Sequence, residues 1–593
     1  MAAKSSAPKM SIPKYTIRVL LIWAIPLLTV LFGVALLLPF LLSAILTPIE
    51  LPKVRQRLFG ARTRKQLPCL KVPALMRLSV LWVLQAWWLL IWRAESSFSG
   101  LDAEAGGEQL AAVDPSLAWK PLSISVVLPC AGEGEFALKT VRSVYESTPD
   151  TLLREIIVVD DGSSPPLESS HLNEQARSRY NVRLIRHAET VGLIGSKKDG
   201  GDAATGDVVV FFDCHVAPQP GWHSSFLRLI GENYRRIVVP VITDLDVGSW
   251  RQRGGNRGQA KCYLTWDADF KWFNSGDPYV PVLSGGLLGI SKRWWNETGG
   301  YDEKMIGWGG ENLDQSLRSW LCGGEIVMAK DSFVAHMWRS PNDPRTHAKY
   351  TVKPGAANAN RARAAVAWFG EFAEKLRSFP SLATDVKTQD GAPWYGDIGN
   401  ILEVKRRLQC RSFAWFMHRF RHVYEDGGLI PTETFGLKAA STGQCLTYQG
   451  EPGTSPDGTG RAVLQPCQPG NERQRWHLAN SDTSRQGQCC SGLRAWNTDQ
   501  CIVGAGWDSA VRTFVCDIAG TRADQVWQFT PNGHLQGRTR RFRSAGCLEP
   551  RADGRIEAAS CPAAGHPASW IKDSPAEPPE SRLYQKALGR IEE

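Results

Sequence analysis

From residue 123 onward, short apolar runs alternate with amphipathic stretches. The run 123–128 is followed by a helical pattern over 136–146. The run 155–159 ends in Asp160-Asp161-Gly162, and another covers 182–185. A helical pattern near 193–204 leads into the run 208–212, which ends in Asp213-Cys214-His215. Strands alternating with helices at this spacing predict a mostly parallel sheet with helices on both faces. Ligands of such sheets gather at the carboxyl ends of the strands. Asp160, Asp161, Asp213 and His215 all fall at such ends. Side chains alternate along a strand, so Asp213 and His215, two apart, face one side and can share a divalent cation. A surface turn would carry the same three residues equally well, so the rest of the chain must decide.

The texture changes twice more. Residues 345–410 are helix-prone and charged. From about residue 436, short strands are set among Gly, Gln, Cys and Trp in three similar units. These run from Cys445 through Cys467 to Gln474-Arg475-Trp476, from Cys501 through Cys516 to Gln525-Val526-Trp527, and from Cys547 through Cys561 to Ser569-Trp570. The Trp spacings of 51 and 43 residues suit a repeated β unit. The chain after Lys572 is rich in Pro and Glu and is expected to be disordered.

Ahead of the sheet pattern lies a different segment. Residues 19–46 form an uncharged, Leu-rich stretch of 28 residues, long enough to span a bilayer. A second apolar stretch of 15 residues, 78–92, is rich in Trp and short for a span. Either the first segment is the sole anchor, or both span with the basic 53–77 loop cytosolic. Both topologies put the globular part on the lumenal side.

Charge sharpens this picture. The 593-residue chain carries +10, yet residues 1–93 hold 13 Lys/Arg against the single acid Glu50, so the remainder sums to about −2. The basic character belongs to the anchor region, and no basic stripe interleaved with aromatics points to nucleic acid. Of 14 cysteines, eight fall between Cys445 and Cys561, which fits an oxidising compartment. The expected organisation is a cytosolic tail and membrane anchor over 1–93 and a stem over 94–120. An α/β catalytic domain follows over 121–345, then closing helices and linker over 346–435, an all-β domain over 436–572 and a disordered tail over 573–593.

Several blocks, in order, resemble the polypeptide N-acetylgalactosaminyltransferases. They include Arg142-Ser-Val-Tyr-Glu-Ser-Thr-Pro149, Leu153-Arg-Glu-Ile-Ile-Val-Val-Asp-Asp161 and Phe211-Phe-Asp-Cys-His215. Further along come Ser284-Gly-Gly-Leu287, Trp308-Gly-Gly-Glu-Asn-Leu313, His336-x-x-Arg339 and Arg406-Arg-Leu-x-Cys410. The resemblance spans roughly 120–572. It implies a GT-A-like fold followed by a ricin-type β-trefoil lectin-like domain.

It also implies a metal site of Asp213, His215 and His336. Two imidazoles and a carboxylate suit Mn²⁺, which neutralises a departing diphosphate. By the same resemblance, Asp160 reads the uracil of a UDP-sugar. Gly192, Lys197, Gly285, Gly286 and Trp308 surround the donor, and Arg339 pairs with phosphate. Asp213 and Glu311 carry the catalytic roles. The family retains anomeric configuration, so the leaving phosphate takes the acceptor proton, and Glu311 orients or stabilises an oxocarbenium-like state. As a bland alternative, Glu311 is an acid at a helix start, and Trp308 is core packing.

The chain departs from the family pattern in places. The family's His-Asn-Glu after the first strand is Ala131-Gly132-Glu133 here, and an Arg after the Gly-Leu pair is Lys197, which lacks bidentate geometry. The resemblance implies a disulfide between Cys322 and Cys410. Cys445, Cys467, Cys501, Cys516, Cys547 and Cys561 are expected in disulfides too, while Cys130 and Cys262 are either unpaired or paired with each other. Where sugar-binding trefoil repeats carry Asp, this chain has Thr447, Val503 and Glu549. The resemblance implies transfer of N-acetylgalactosamine from UDP to Ser/Thr hydroxyls of polypeptides or glycopeptides, at the Golgi membrane and on its lumenal side. The alternatives are a transferase using another UDP-sugar or acceptor, and a catalytically silent carbohydrate-binding Golgi protein.

Overall fold

The computed structural model describes residues 110 and 114–589, apart from 255–259, 348–351, 383–385, 455–458, 479–491, 505–510, 519–521, 538–545 and 564. Both expected membrane segments, the basic loop and most of the stem lie outside the described residues. Among the described residues no helix is long and apolar enough to cross a membrane.

The apolar runs become strands with little adjustment. The elements are β1 (Ile124–Cys130), α1 (Glu135–Ser147), β2 (Leu153–Asp161), β3 (Val182–His187), α2 (Leu193–Ala203) and β4 (Val208–Phe211). They continue with β5 (Val216–Pro218), α3 (Trp222–Glu232), β6 (Arg236–Asp246), β7 (Leu288–Ser291), α4 (Lys292–Thr298), α5 (Glu311–Leu321), β8 (Glu325–His336) and α6 (Ala356–Phe369). One nine-stranded sheet runs β3-β2-β1-β4-β7-β6-β8-β5, with Arg251–Arg253 paired to β6. Neighbouring side chains on β4 point to opposite faces. Phe211 meets Trp295 and the α2 backbone at Gly201, while Val210 and Phe226 of α3 close on Gly289. Helices therefore cover both faces, as expected.

The expectation of a mostly parallel sheet needs correction. β1, β2, β3 and β4 pair in parallel, as do β6 and β8, but β7 is antiparallel to both its neighbours and β5 to β8. Between β6 and β7 the described residues form a hairpin, Ala260–Leu264 with Phe270–Asn274, and no crossover helix. A parallel neighbour needs a long crossover, so β7 enters reversed.

The helices after residue 355 pack onto the sheet domain. Trp368, Phe369, Phe372, Phe413 and Phe416 are buried in the same core as the sheet. Trp266 packs among Phe369, Phe372 and Phe413, and its indole donates to the Leu429 carbonyl at 2.7 Å.

The C-terminal domain is all-β, with an eight-stranded and a four-stranded sheet. Trp476, Trp527 and Trp570 are buried, and each indole donates to a strand carbonyl, of Leu446, Ile502 and Leu548 respectively. The repeat seen in the residue pattern is thus one hydrogen bond made three times. Disulfides join Cys445 to Cys467, Cys501 to Cys516 and Cys547 to Cys561, each within one unit.

Two further expectations are overturned. The tail is not disordered: Pro579–Leu588 is a helix, α7, whose Tyr584 is fully buried. Its apolar side chains pack on the main core, an outcome that Pro and Glu content does not reveal. Cys130 is paired with Cys214, not with Cys262, which is buried and free. β1 and β4 are adjacent parallel strands, so Cys130 at the end of β1 and Cys214 just past β4 are neighbours.

Candidate active site

The site forms where β1, β2 and β4 end. Asp213 and His215 leave β4 and enter β5. β5 pairs with the end of β8, placing Val216 opposite His336, and the Met337 amide donates to the His215 carbonyl at 3.2 Å. That pairing brings in a residue 123 positions away: His336 Nε2 lies 3.0 Å from Asp213 Oδ2. Asp213, His215 and His336 each offer a ligand atom, all within 4.8 Å of one another. The Cys130–Cys214 disulfide ties the middle of this turn to β1. Burial pushes the Asp213 carboxyl up, but the hydrogen bond from His336 and the charges of Lys197, His336 and His215 outweigh it. They hold the group well below the ordinary carboxylate range. Asp213 is therefore ionised at neutral pH.

A glycine turn closes on this carboxylate. A Cβ on Gly286 would sit 2.5 Å from Asp213 Oδ2, so only glycine allows the approach. Gly285 has φ +96° and faces Glu311 and Asn312. Asn312 donates to the Leu283 carbonyl at 2.9 Å, and buried Lys197 donates to the Gly285 carbonyl at 2.6 Å. Lys197, expected to touch the donor, is thus fully enclosed and spends a hydrogen on the turn.

Glu311 opens α5 behind Gly309 and Gly310, both at positive φ. Its Oε2 accepts from the Gly309 amide at 2.9 Å, as an acid at a helix start does. Its Oε1 lies against Gly285. All of α5 is buried, charges included. Asp314 pairs with Arg318 at 2.6 Å and accepts from the Trp368 indole at 2.8 Å. Trp308 is 45 % exposed, which excludes the core-packing alternative.

Gly192 caps α2 at φ +92°, and a Cβ there would lie 2.4 Å from the Gly307 Cα, so its loop abuts the one bearing Trp308. Asp161 holds that loop, accepting from Thr190 Oγ1 at 2.6 Å, the Val191 amide at 2.8 Å and the Gly192 amide at 2.9 Å. Burial raises the Asp161 carboxyl, but these bonds and one from His187 bring it below its usual value.

Asp160 is buried at the end of β2. Its oxygens accept from the Leu167 amide at 2.9 Å and the Ser163 amide at 3.3 Å, and Arg186 pairs with it at 2.8 Å. No hydrogen bond or ion pair joins it to Asp213, His215 or His336 among the described residues.

Arg339 reaches Glu133 in the turn after β1, with its Nη2 3.3 Å from His215 Nδ1. Cys322 and Cys410 are bridged, as the resemblance implied. Beside the site, a cavity of about 320 Å³ is lined by Val241, Ile242, Leu287 and Met328, with Trp272 and Trp338 at its edge. Trp338 tilts onto the His336 ring at 4.7 Å and donates to Asp244 at 2.7 Å.

Sequence reasoning places Asp161 at a strand end without a role and assigns none to Glu133, Asn312 and Trp338. Glu133 carried a usable signal, since it follows the carboxyl end of a strand. Asn312 and Trp338 carried none, because their partners come from distant elements.

A model of glycosyl transferase family 2 matches residues 125–296, and one described as the N-terminal domain of galactosyltransferase matches 276–337. Polypeptide N-acetylgalactosaminyltransferase 3 of Mus musculus is 31% identical over 326 residues, 52% of this chain and 50% of that relative. Residues 125–296 thus carry a glycosyl transferase family 2 match, and the chain is similar to polypeptide N-acetylgalactosaminyltransferases. Polypeptide N-acetylgalactosaminyltransferase 9 of Macaca fascicularis is 29% identical over 444 residues, 72% of this chain and 69% of the relative. The chain therefore spans between half and about two thirds of the length of these curated relatives. A crystal structure of GalNAc-T7 with UDP, GalNAc and Mn²⁺ aligns over 77% of this chain and 82% of that chain, with a TM-score of 0.48 and 22% identity.

Proposed function

We propose that this chain transfers N-acetylgalactosamine from UDP to Ser/Thr hydroxyls of polypeptides, with retained anomeric configuration. The observation that carries the reading is the convergence of Asp213, His215 and His336 at the strand ends, beside the Gly285–Gly286 turn and Glu311. The donor set of two imidazoles and one ionised carboxylate fits Mn²⁺, and the cation would neutralise charge on a leaving diphosphate.

The remaining roles belong to the protein. Gly285 and Gly286 bring backbone against Asp213 and leave room for a sugar over the turn. Glu311, fixed by the Gly309 amide, orients the donor and stabilises positive charge developing at its anomeric carbon. Trp308 covers the donor, Gly192 and Lys197 shape its pocket, and Asp160 fixes the turn on which the uracil rests. The cavity between Trp272 and Trp338 receives the acceptor chain.

The C-terminal domain is a ricin-type β-trefoil of lectin type. The chain works in the Golgi lumen behind a membrane anchor in residues 1–93, and its disulfides suit that compartment.

The test uses the lumenal part with UDP-GalNAc, UDP-GlcNAc or UDP-glucose, a Ser/Thr peptide, and Mn²⁺ or a chelator. Expected is Mn²⁺-dependent transfer from UDP-GalNAc that His336→Ala lowers by about 100-fold or more. Transfer from another donor moves the assignment to a sister activity. No turnover of any donor sinks the enzyme reading in favour of a silent binding protein.

A further inference from the structure

Trp338 is 50% exposed, yet the structure holds it on two sides. It stands two residues past His336, and its ring tilts onto that imidazole at 4.7 Å, with the planes 59° apart. Its indole donates to Asp244 Oδ1 at 2.7 Å. Asp244 comes from the neighbouring strand, where the parallel β6–β8 pairing sets it opposite His336. Asp244, Trp338 and Trp272 all line the cavity beside the site.

An indole N–H only donates and a carboxylate only accepts, so the direction of this bond is fixed. A hydrogen bond to a charged group is shorter and stronger than a neutral one. Among the described residues, no other side-chain hydrogen bond or ion pair engages the Asp244 carboxylate. Its partner in the fold is this indole, which stands half in water and has little packing of its own to fix it.

We propose that Asp244 is a positioning residue for acceptor binding: it locks Trp338 as a rigid wall of the cavity, so that a polypeptide seated there packs against an indole already in place beside His336. This rests on the reading that the cavity receives the acceptor, and the two can fail separately. A wall fixed in advance need not be ordered when the acceptor binds, a saving of about 3–10-fold in affinity for one side chain. Asp244 reaches the site through this indole, so its effect falls on the acceptor KM and not on kcat.

The experiment has two readouts on the full chain. The first is ¹⁹F NMR of protein labelled with 5-fluorotryptophan, with Trp338→Phe assigning the line of residue 338. Wild type should give one sharp line there, and so should Asp244→Asn, whose amide oxygen still accepts. Asp244→Leu should shift and broaden it. The second is transfer kinetics with a Ser/Thr peptide. Asp244→Leu should raise the peptide KM by about 3–10-fold, with kcat within about twofold of wild type. Asp244→Asn should recover most of the loss. In a Trp338→Phe background, Asp244→Leu should add less than about twofold, because the donor it serves is already gone. Circular dichroism melts confirm that each variant is folded.

A peptide KM unchanged in Asp244→Leu overturns the proposal, as does a residue 338 line unchanged in that variant. So does a fall in kcat at constant KM, or an equal rise in KM with and without the indole N–H. A wild type that shows the sharp residue 338 line but neither binds nor modifies any peptide overturns the acceptor reading, and the acceptor half of this proposal with it.

Discussion

The α/β sheet and the C-terminal all-β domain treat polar side chains in opposite ways. At the sheet's carboxyl edge, Asp213 and His215 of the β4–β5 turn meet His336 from the end of β8. In the all-β domain the comparable groups close on their own unit. Gln474 donates to Thr447 Oγ1 at 3.0 Å and to the Pro466 carbonyl at 2.9 Å, and Gln525 donates to the Val515 carbonyl at 2.9 Å. Ser569 donates to Glu549 in the third unit. Thr447, where a sugar-binding repeat would carry Asp, is buried and occupied. A cluster fed by several elements has unsatisfied valence to offer a ligand, whereas a group satisfied within its own unit stabilises that unit.

The two regions meet through buried charge. Lys375, after α6, pairs with Glu580 of α7 at 2.6 Å and lies 4.4 Å from the Trp496 ring, whose indole donates to the same carboxylate at 2.9 Å. Burial lowers the Lys375 ammonium below its usual value, partly offset by Glu580. Asp267 adds a second tie, accepting from the Thr454 amide at 2.7 Å.

The largest effect should come from breaking the all-β core. Trp476→Ala is expected to cost about 3–5 kcal/mol, seen as an early denaturant transition that leaves Mn²⁺ affinity intact. Loss of Mn²⁺ binding would mean the two regions are not separable. At the junction, Lys375→Met strands Glu580 and should cost about 3–5 kcal/mol. Lys375→Met with Glu580→Met should recover much of it, and a double-mutant cycle of melting free energies measures the coupling.

Gly286→Ala acts on the site alone. A Cβ displaces Asp213, so transfer should fall about 100-fold with a small change in melting temperature. Equal activity would place the sugar elsewhere.

Asp161→Asn is the smallest, at about 1–3 kcal/mol. The Asp161 carboxyl is depressed in the folded state. Its contribution is therefore complete above the unfolded value near 3.9 and disappears as pH falls through the lower folded value. Acid melts should show wild type losing this increment below about pH 4, and the Asn variant lacking it throughout.

Much of this was legible in residue order. Runs such as 155–159 and 208–212 became strands because a continuous apolar stretch can be buried on both faces only in a covered sheet. Asp213 and His215 were recognisable because their spacing matches the strand period. The antiparallel entry of β7 was not legible, since no local pattern encodes strand direction. Nor was α7, whose burial depends on a surface built by other elements.

By itself, the order of residues determined the strands and helices, the three Trp units and which acids stand at strand ends, because these follow from short-range periodicity. Only the tertiary structure decided that His336 meets Asp213, that Cys130 bonds Cys214, and that Trp338 meets Asp244. Each of those contacts depends on which strands become neighbours and in what register, a choice made by the whole core and by no single segment.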